Sequence, residues 1–196
     1  MSQFNLTVTD IATAYERGLL PQRNNRSYFY RDTACRSNLA NFSLSSENRR
    51  ILKKTQQFSF RKTPLKDFKF DLEIQKQIYH WTKTLKWNFP ISSVKNVFTN
   101  HFFNYLYDWT DNNNQSVAYA ICYFSTSIAH IAYVFYNPRY NHSDLPIRLV
   151  LQVVIDSHDL NLTYCYLGRF STTTGYYKRA MPGFEYFSQG KWKKYN

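Results

Sequence analysis

The chain is poor in glycine, cysteine and acidic residues. Only 5 of its 196 residues are glycine, too few for a cofactor fold built on several glycine-rich loops. Neither a P-loop nor a G-x-G-x-x-G fingerprint occurs. No G-x-S-x-G elbow is present, so a serine hydrolase of that type has no support. The 3 cysteines, Cys35, Cys122 and Cys165, are far apart and form no C-x-x-C pair, so no metal site or iron–sulfur cluster is expected. Cys122 and Cys165 lie in apolar runs and read as small buried hydrophobes. Unpaired thiols suit a reducing, cytoplasmic setting. No run of ~18 apolar residues exists, so no transmembrane helix is expected. The N-terminus, Met1 to Leu6, lacks the basic region and apolar stretch of a secretory signal. A membrane is therefore not an expected partner.

What the chain does have is cations and aromatic rings. Lys and Arg number 25 against 13 Asp and Glu, a net charge of +12. Such a balance favours a polyanionic partner such as nucleic acid, or an anionic membrane surface, against the plain alternative of a merely basic surface. Hydrophobic residues make up 43% and aromatic residues 19%, enough to bury a sizeable core, which excludes disorder as a whole.

A short helix is expected before Gly18 and Pro21, and an aromatic strand at Ser27–Arg31. Leu39 to Phe42 reads as a short strand. Ser43 to Lys54 reads as a helix with a serine cap, Glu47 in its first turn, and Ile51 and Leu52 as anchors. Arg49 with Lys53, and Arg50 with Lys54, are like-charged neighbours one turn apart, at a cost of about a few tenths of a kcal/mol each. Two readings stand side by side. Either a bound anion offsets that ridge, or the cations are solvated and complement the helix C-terminus. Phe58 to Phe60 reads as a strand. Residues 65–110 read as mostly helical, with Pro90 separating one stripe, Leu72 to Trp81, from a second that carries Val94, Val97, Phe98, Phe102, Phe103 and Leu106.

The second half reads as a hairpin, a helix, and two further strands. Ser116–Tyr123 and Ile128–Tyr136 form the hairpin. The helix starts at Asp144 and ends near His158. Leu162–Leu167 is a buried strand that breaks at Gly168, and Phe184–Phe187 closes the unit. A strand–helix–strand crossover makes the flanking strands parallel, with an open end at their C-termini. A cleft there would be lined by Tyr136, Asn137, Gly168 and the Thr172–Tyr177 loop. The five histidines, His80, His101, His130, His142 and His158, have no Ser or Cys partner by spacing.

Several ordered segments carry a resemblance. These are Ser27–Cys35, Phe42–Lys54 with its paired arginines, Val134–Pro138, Tyr164–Gly168, and Tyr177–Lys178 with the Phe184–Phe187 strand beyond. Together they resemble the aminoacyl-tRNA–protein transferases of the N-degron pathway, over roughly residues 11–190. The resemblance implies an α+β, three-layer GNAT-like acyltransferase fold, a mixed twisted sheet with flanking helices. Residues 1–64 would be an N-terminal elaboration carrying the basic helix, and 65–196 the transferase core, the two forming one compact unit.

It further implies transfer of an amino acid from aminoacyl-tRNA to the N-terminal amine of an acceptor protein, with no cofactor beyond that donor. The donor ester is already activated, so alignment, a proton acceptor and oxyanion stabilisation are what the protein must supply. On this reading Arg49, Arg50, Lys53, Lys54, Lys178 and Arg179 contact tRNA phosphates. Tyr136 and Tyr166 bracket the aminoacyl-adenosine end, with Asn137, Gly168 and Tyr176 beside them. Tyr177 donates to the carbonyl oxygen, and Glu185 is a candidate base or amine contact, against a plain outward-facing strand residue. The family's N-terminal cysteine motif is reduced to Cys35, its Asp before the proline is Asn137, and its Ser-Leu-Gly element is Asp144–Pro146. A non-catalytic RNA-binding module and a GNAT-type enzyme using acyl-CoA are the competing readings.

Overall fold

The computed structural model describes residues 7–22, 28–99, 101–171 and 175–195. The chain order is α1 (Val8–Glu16), β1 (Leu19–Pro21), β2 (Phe29–Arg31), β3 (Ala34–Asn38), α2 (Ser46–Lys54), β4 (Ser59–Pro64), α3 (Leu72–Thr84), α4 (Ile91–Phe98), β5 (Tyr105–Thr110), β6 (Ser116–Phe124), β7 (Ile128–Tyr136), α5 (Leu145–Asp159), β8 (Tyr164–Arg169), β9 (Phe184–Ser188) and β10 (Lys191–Lys194). β1 and β2 pair with each other; the remaining strands make an 8-stranded sheet in the order β10-β9-β3-β8-β7-β6-β5-β4. Among the described residues only β7 and β8 pair in parallel; every other neighbouring pair in this sheet is antiparallel. The crossover through α5 supplies that parallel pair, as the strand–helix–strand pattern requires.

Helices cover both faces of the sheet. One core layer joins Ile51 of α2 and Leu149, Val153 and Val154 of α5 to Tyr107, Trp109, Ala120, Cys122, Cys165 and Leu167. The other joins Ile11 and Tyr15 of α1, Ile78 and Trp81 of α3, and Val94, Val97 and Phe98 of α4 to Leu106, Tyr119, Ile121, Tyr123 and Tyr166. Burial on both faces is why β6 reads as an unbroken apolar run rather than an alternating one. The architecture is three-layered, α+β, with a mixed sheet. β3 and β4 come from the segment before residue 65, so that segment builds part of the same sheet.

Three expectations need correcting. Leu39–Asn41 is a 3₁₀ turn, and the strand lies just before it, at β3. β3 (Ala-Cys-Arg-Ser-Asn) shows no apolar alternation because Arg36 is buried against Glu16 and Glu185 and Ser37 is buried beside it. The second helical stripe ends at Phe98, and Leu106 belongs to β5; Phe102, Phe103 and Leu106 only happen to fall at helical spacing. β8 runs through Gly168 to Arg169 instead of breaking there. Ser27 and Thr172–Thr174, which entered the expected aromatic strand and cleft loop, lie outside the described residues.

Candidate active site

The parallel pairing of β7 and β8 is short. It joins Ile128 with Tyr164, Ala129 with Cys165, and His130 with Tyr166, and then ends. Both strands continue, but apart. Each carries an extra residue at that point. Ile121 of β6 opposes Tyr133 and Cys122 opposes Ile131, so Ala132 is bulged. Cys35 of β3 opposes Gly168 and Arg36 opposes Tyr166, so Leu167 is bulged. A bulge bends its strand and increases the local twist, and two at the same level splay the pair into a V.

Cavities lie on both faces of that notch. One of about 620 Å³ is lined from the α4 side by Leu20, Tyr30, Pro90, Ser93, His130 and Tyr133, among others. One of about 370 Å³ is lined from the α5 side by Trp87, Val134, Tyr136, Val150, Tyr177 and Lys178, among others. Ala132, Gly168 and Arg169 line both.

The floor of the notch is polar and fixed. Lys178 Nζ donates to the carbonyls of Leu167 at 2.6 Å and Arg169 at 2.8 Å. Burial pushes its ammonium pKa down. Cys35 Sγ donates to the Gly168 carbonyl at 3.3 Å, and burial pushes the thiol up to about 12 against the pull of Lys178. That thiol stays protonated at neutral pH and is not an available nucleophile. His130 is buried and its Nδ1 sits 2.6 Å from the Tyr15 hydroxyl. Burial, with the Lys178 ammonium adding to it, pushes the imidazole down to about 3, so it is neutral.

Of the residues expected from the sequence, Tyr136, Gly168, Tyr177 and Lys178 meet in the smaller cavity. Burial raises the phenol pKa of Tyr177, so it remains a hydrogen-bond donor. Tyr136 Oη donates to Asn141 Oδ1 at 3.0 Å and its ring stands edge-on to Trp87 at 5.6 Å. Tyr176 and Arg179 form an exposed pair outside the lining, with the guanidinium 3.8 Å above the ring. Asn137 uses its side chain to cap a 3₁₀ turn, accepting from the Arg139 N–H at 3.0 Å.

Tyr166 is on the far face of the sheet, 1% exposed, tilted against Tyr15 at 4.6 Å. It cannot bracket a ligand with Tyr136, because β8 alternates faces and Tyr166 points away from α5. Glu185 is also apart from the notch. It accepts from Arg36 Nε at 2.8 Å and from Asn38 Nδ2 at 2.9 Å, under a guanidinium that lies between the rings of Tyr164 and Trp192.

The basic helix adjoins the notch. Asn48 Nδ2 donates to the Ala180 carbonyl at 3.0 Å, so α2 packs on the turn that carries Lys178 and Arg179. Carboxylates already meet part of its charge. Arg50 holds Glu47 at 2.6 Å and Asp144 at 3.0 Å, and Lys54 holds Asp144 at 3.0 Å. Asp144 stands at the N-cap of α5, yet its side chain makes no cap bond. Arg49 donates to the Leu44 carbonyl at 2.5 Å. Lys53 has no polar partner among the described residues. His130, Trp87 and Arg169 were not singled out as site residues from the sequence. For His130 the one local signal is a histidine inside the apolar run of β7.

No family model matches the chain, and no curated protein matches it in sequence. Solved structures do match its shape. The C-terminal DUF2156 domain of a protein described as a lysylphosphatidylglycerol synthetase from Agrobacterium fabrum aligns with TM-score 0.52 and 10% identity, over 83% of this chain and 50% of that one. L-PGS from Bacillus licheniformis aligns with TM-score 0.52 and 11% identity, over 85% of this chain and 52% of that one. A GCN5-related glucosamine N-acetyltransferase region of a fungal multi-domain protein aligns with TM-score 0.51 and 11% identity, over 91% and 22%. The chain thus spans about half the length of the first two. The fold is GNAT-like, shared with these structures. No helix among the described residues is long and apolar enough to cross a membrane.

Proposed function

We propose that this protein moves an aminoacyl group from an aminoacyl-tRNA to an acceptor amine, the N-terminal amine of a protein in the first instance. The observation that carries the reading is the notch: a V between β7 and β8, with cavities of about 620 and 370 Å³ that share Gly168 and Arg169. A transfer needs two substrates to meet, and cavities joined at one vertex suit that better than a single pocket does. A lysylphosphatidylglycerol synthetase is by its name a joiner of lysyl groups, which supports an aminoacyl cargo here.

On this reading Tyr136 and Trp87 hold the donor end, and the Tyr177 hydroxyl donates to the carbonyl oxygen. Lys178 keeps the end of β8 in place. The α2 ridge with Lys53 and Arg49, beside Arg179, takes the tRNA phosphates. Tyr166 and Glu185 have structural roles and no contact with the reacting groups.

The test is incubation with tRNA charged with labelled amino acids and peptides of different N-termini. Label on peptide is the expected result. Tight, salt-dependent tRNA binding without transfer to any amine would make it a binding module. Thermal stabilisation by acyl-CoA with no tRNA affinity would move the donor to a thioester.

A further inference from the structure

His130 and Tyr15 lie beneath the notch, on the α4 side of the sheet. His130 is the last β7 residue paired to β8, two positions before the bulged Ala132. Its Nδ1 is 2.6 Å from the Tyr15 hydroxyl. Tyr15 is 0% exposed, and its ring is held by Tyr166 at 4.6 Å, Phe29 at 5.5 Å and Tyr123 at 6.4 Å. It cannot turn away. The other ring nitrogen of His130 reaches the vertex of the V. A methyl group at Gly168 would lie 3.9 Å from His130 Nε2 and 3.8 Å from Lys178 Nζ.

A neutral imidazole carries one N–H, and a phenol carries one O–H. Among the described residues, the Tyr15 hydroxyl has Nδ1 as its hydrogen-bond partner. If the imidazole hydrogen sat on Nδ1, the phenol hydrogen would be buried with no acceptor, which native interiors avoid. With the hydrogen on Nε2, Tyr15 donates to Nδ1 and Nε2–H enters the notch. Desolvation keeps the ring neutral.

We infer that His130 is a fixed, neutral Nε2–H donor to the carbonyl oxygen of the acyl group in the notch, and that Tyr15 is the positioning residue that sets this tautomer. The inference rests on the acyl-transfer reading above and adds the group that polarises the ester from the α4 side, opposite Tyr177. The amine nitrogen attacks the ester carbon, the C–N bond forms and the C–O bond to the ribose breaks. The amine proton leaves with the departing ribose oxygen. His130 keeps its own proton throughout and is not the base.

The full chain labelled with ¹⁵N-histidine decides the tautomer. The spectrum should show His130 with Nε2 protonated and Nδ1 bare at neutral pH, and Tyr15→Phe should release that tautomer. A protonated Nδ1 overturns the inference. Titration with a non-hydrolysable aminoacyl-adenosine amide should shift the Nε2–H resonance; saturable binding without that shift overturns it as well.

In the transfer assay, His130→Ala should lower kcat about 100-fold with KM little changed, as for loss of one oxyanion donor. His130→Gln, which keeps an N–H, should recover part of it. Unchanged kcat in His130→Ala would sink the role. Should His130→Ala not fold, the wild-type and Tyr15→Phe spectra still decide the tautomer. Absence of transfer by wild type, with the tautomer as stated, would count against the acyl-transfer reading and not against the donor geometry.

Discussion

The ammonium of Lys178 lies 2.6 Å from the carbonyl oxygen of Leu167, the bulged residue of β8. One side chain therefore ties the 3₁₀ turn at Tyr176–Ala180 to the strand that forms one arm of the V. Lys178→Met should cost about 1.5–3 kcal/mol in urea unfolding, the range for hydrogen bonds from a charged donor. It should also cut transfer more than Lys178→Arg does. Equal activity in Lys178→Met and wild type would mean that the arm holds its place without the clamp.

Gly168 has φ of +77° at the vertex of the notch. Gly168→Ala should lose about 1–2 kcal/mol for placing a side chain in the left-handed region. Its methyl group would also occupy the space between His130 and Lys178. Transfer should fall further than stability does, read as kcat/KM at a temperature where the variant is fully folded.

Glu185 and Arg36 pair at 2.8 Å, with side chains 11% and 5% exposed. Glu185→Ala leaves that guanidinium short of a partner and should cost about 3 kcal/mol or more. Glu185→Gln should transfer at the wild-type kcat once folded. A large kcat loss in Glu185→Gln, with stability kept, would restore Glu185 to the chemistry.

Arg50 is already engaged by Glu47 and Asp144, while Lys53 has no polar partner among the described residues. Lys53→Ala should weaken tRNA binding across sequences and lower the salt slope by about 1. Arg50→Ala should change the slope less, because Arg50 must leave two carboxylates to reach a phosphate. Kd measured against salt concentration separates them, and an unchanged slope in Lys53→Ala would make the ridge plain solvated surface.

His130 titrates near 3 in the folded state against an ordinary value of 6.5. The unfolded chain therefore binds the extra proton first as pH falls. The contribution of His130 to stability is fully present above about 6.5 and declines as pH drops toward about 3. Denaturation midpoints between pH 7 and 4 should fall more steeply for wild type than for His130→Gln. Lys178 faces the ring, and its charge adds to burial in holding the imidazole neutral.

The hairpin of β6 and β7, the helix α5, and the strands β8 and β9 were all legible in the chain. Their apolar runs are long, and Asp144–Pro146 and Asp111–Asn114 punctuate them. β3 and β5 were not. β3 is polar in composition because its arginine is buried by Glu185, Glu16 and two aromatic rings distant in sequence. β5 follows an aromatic run whose spacing mimics a helix. Of the site, Tyr136 could be named from the end of its strand, and Tyr177 and Lys178 from the basic and aromatic cluster after Gly168, while Tyr166 and Tyr176, named with them, lie outside the lining.

Composition and order alone determined that this is a basic, aromatic-rich chain with a strand–helix–strand crossover opening at Tyr136 and Gly168. Local propensity and connection handedness suffice for that much. The tertiary structure decided which residues share the opening. It turned Tyr166 and Glu185 to the other face and brought His130 to the vertex. Two bulges, at Ala132 and Leu167, opened the V. A bulge exists only in the register between two strands, and register is a property of the assembled sheet that no single segment carries.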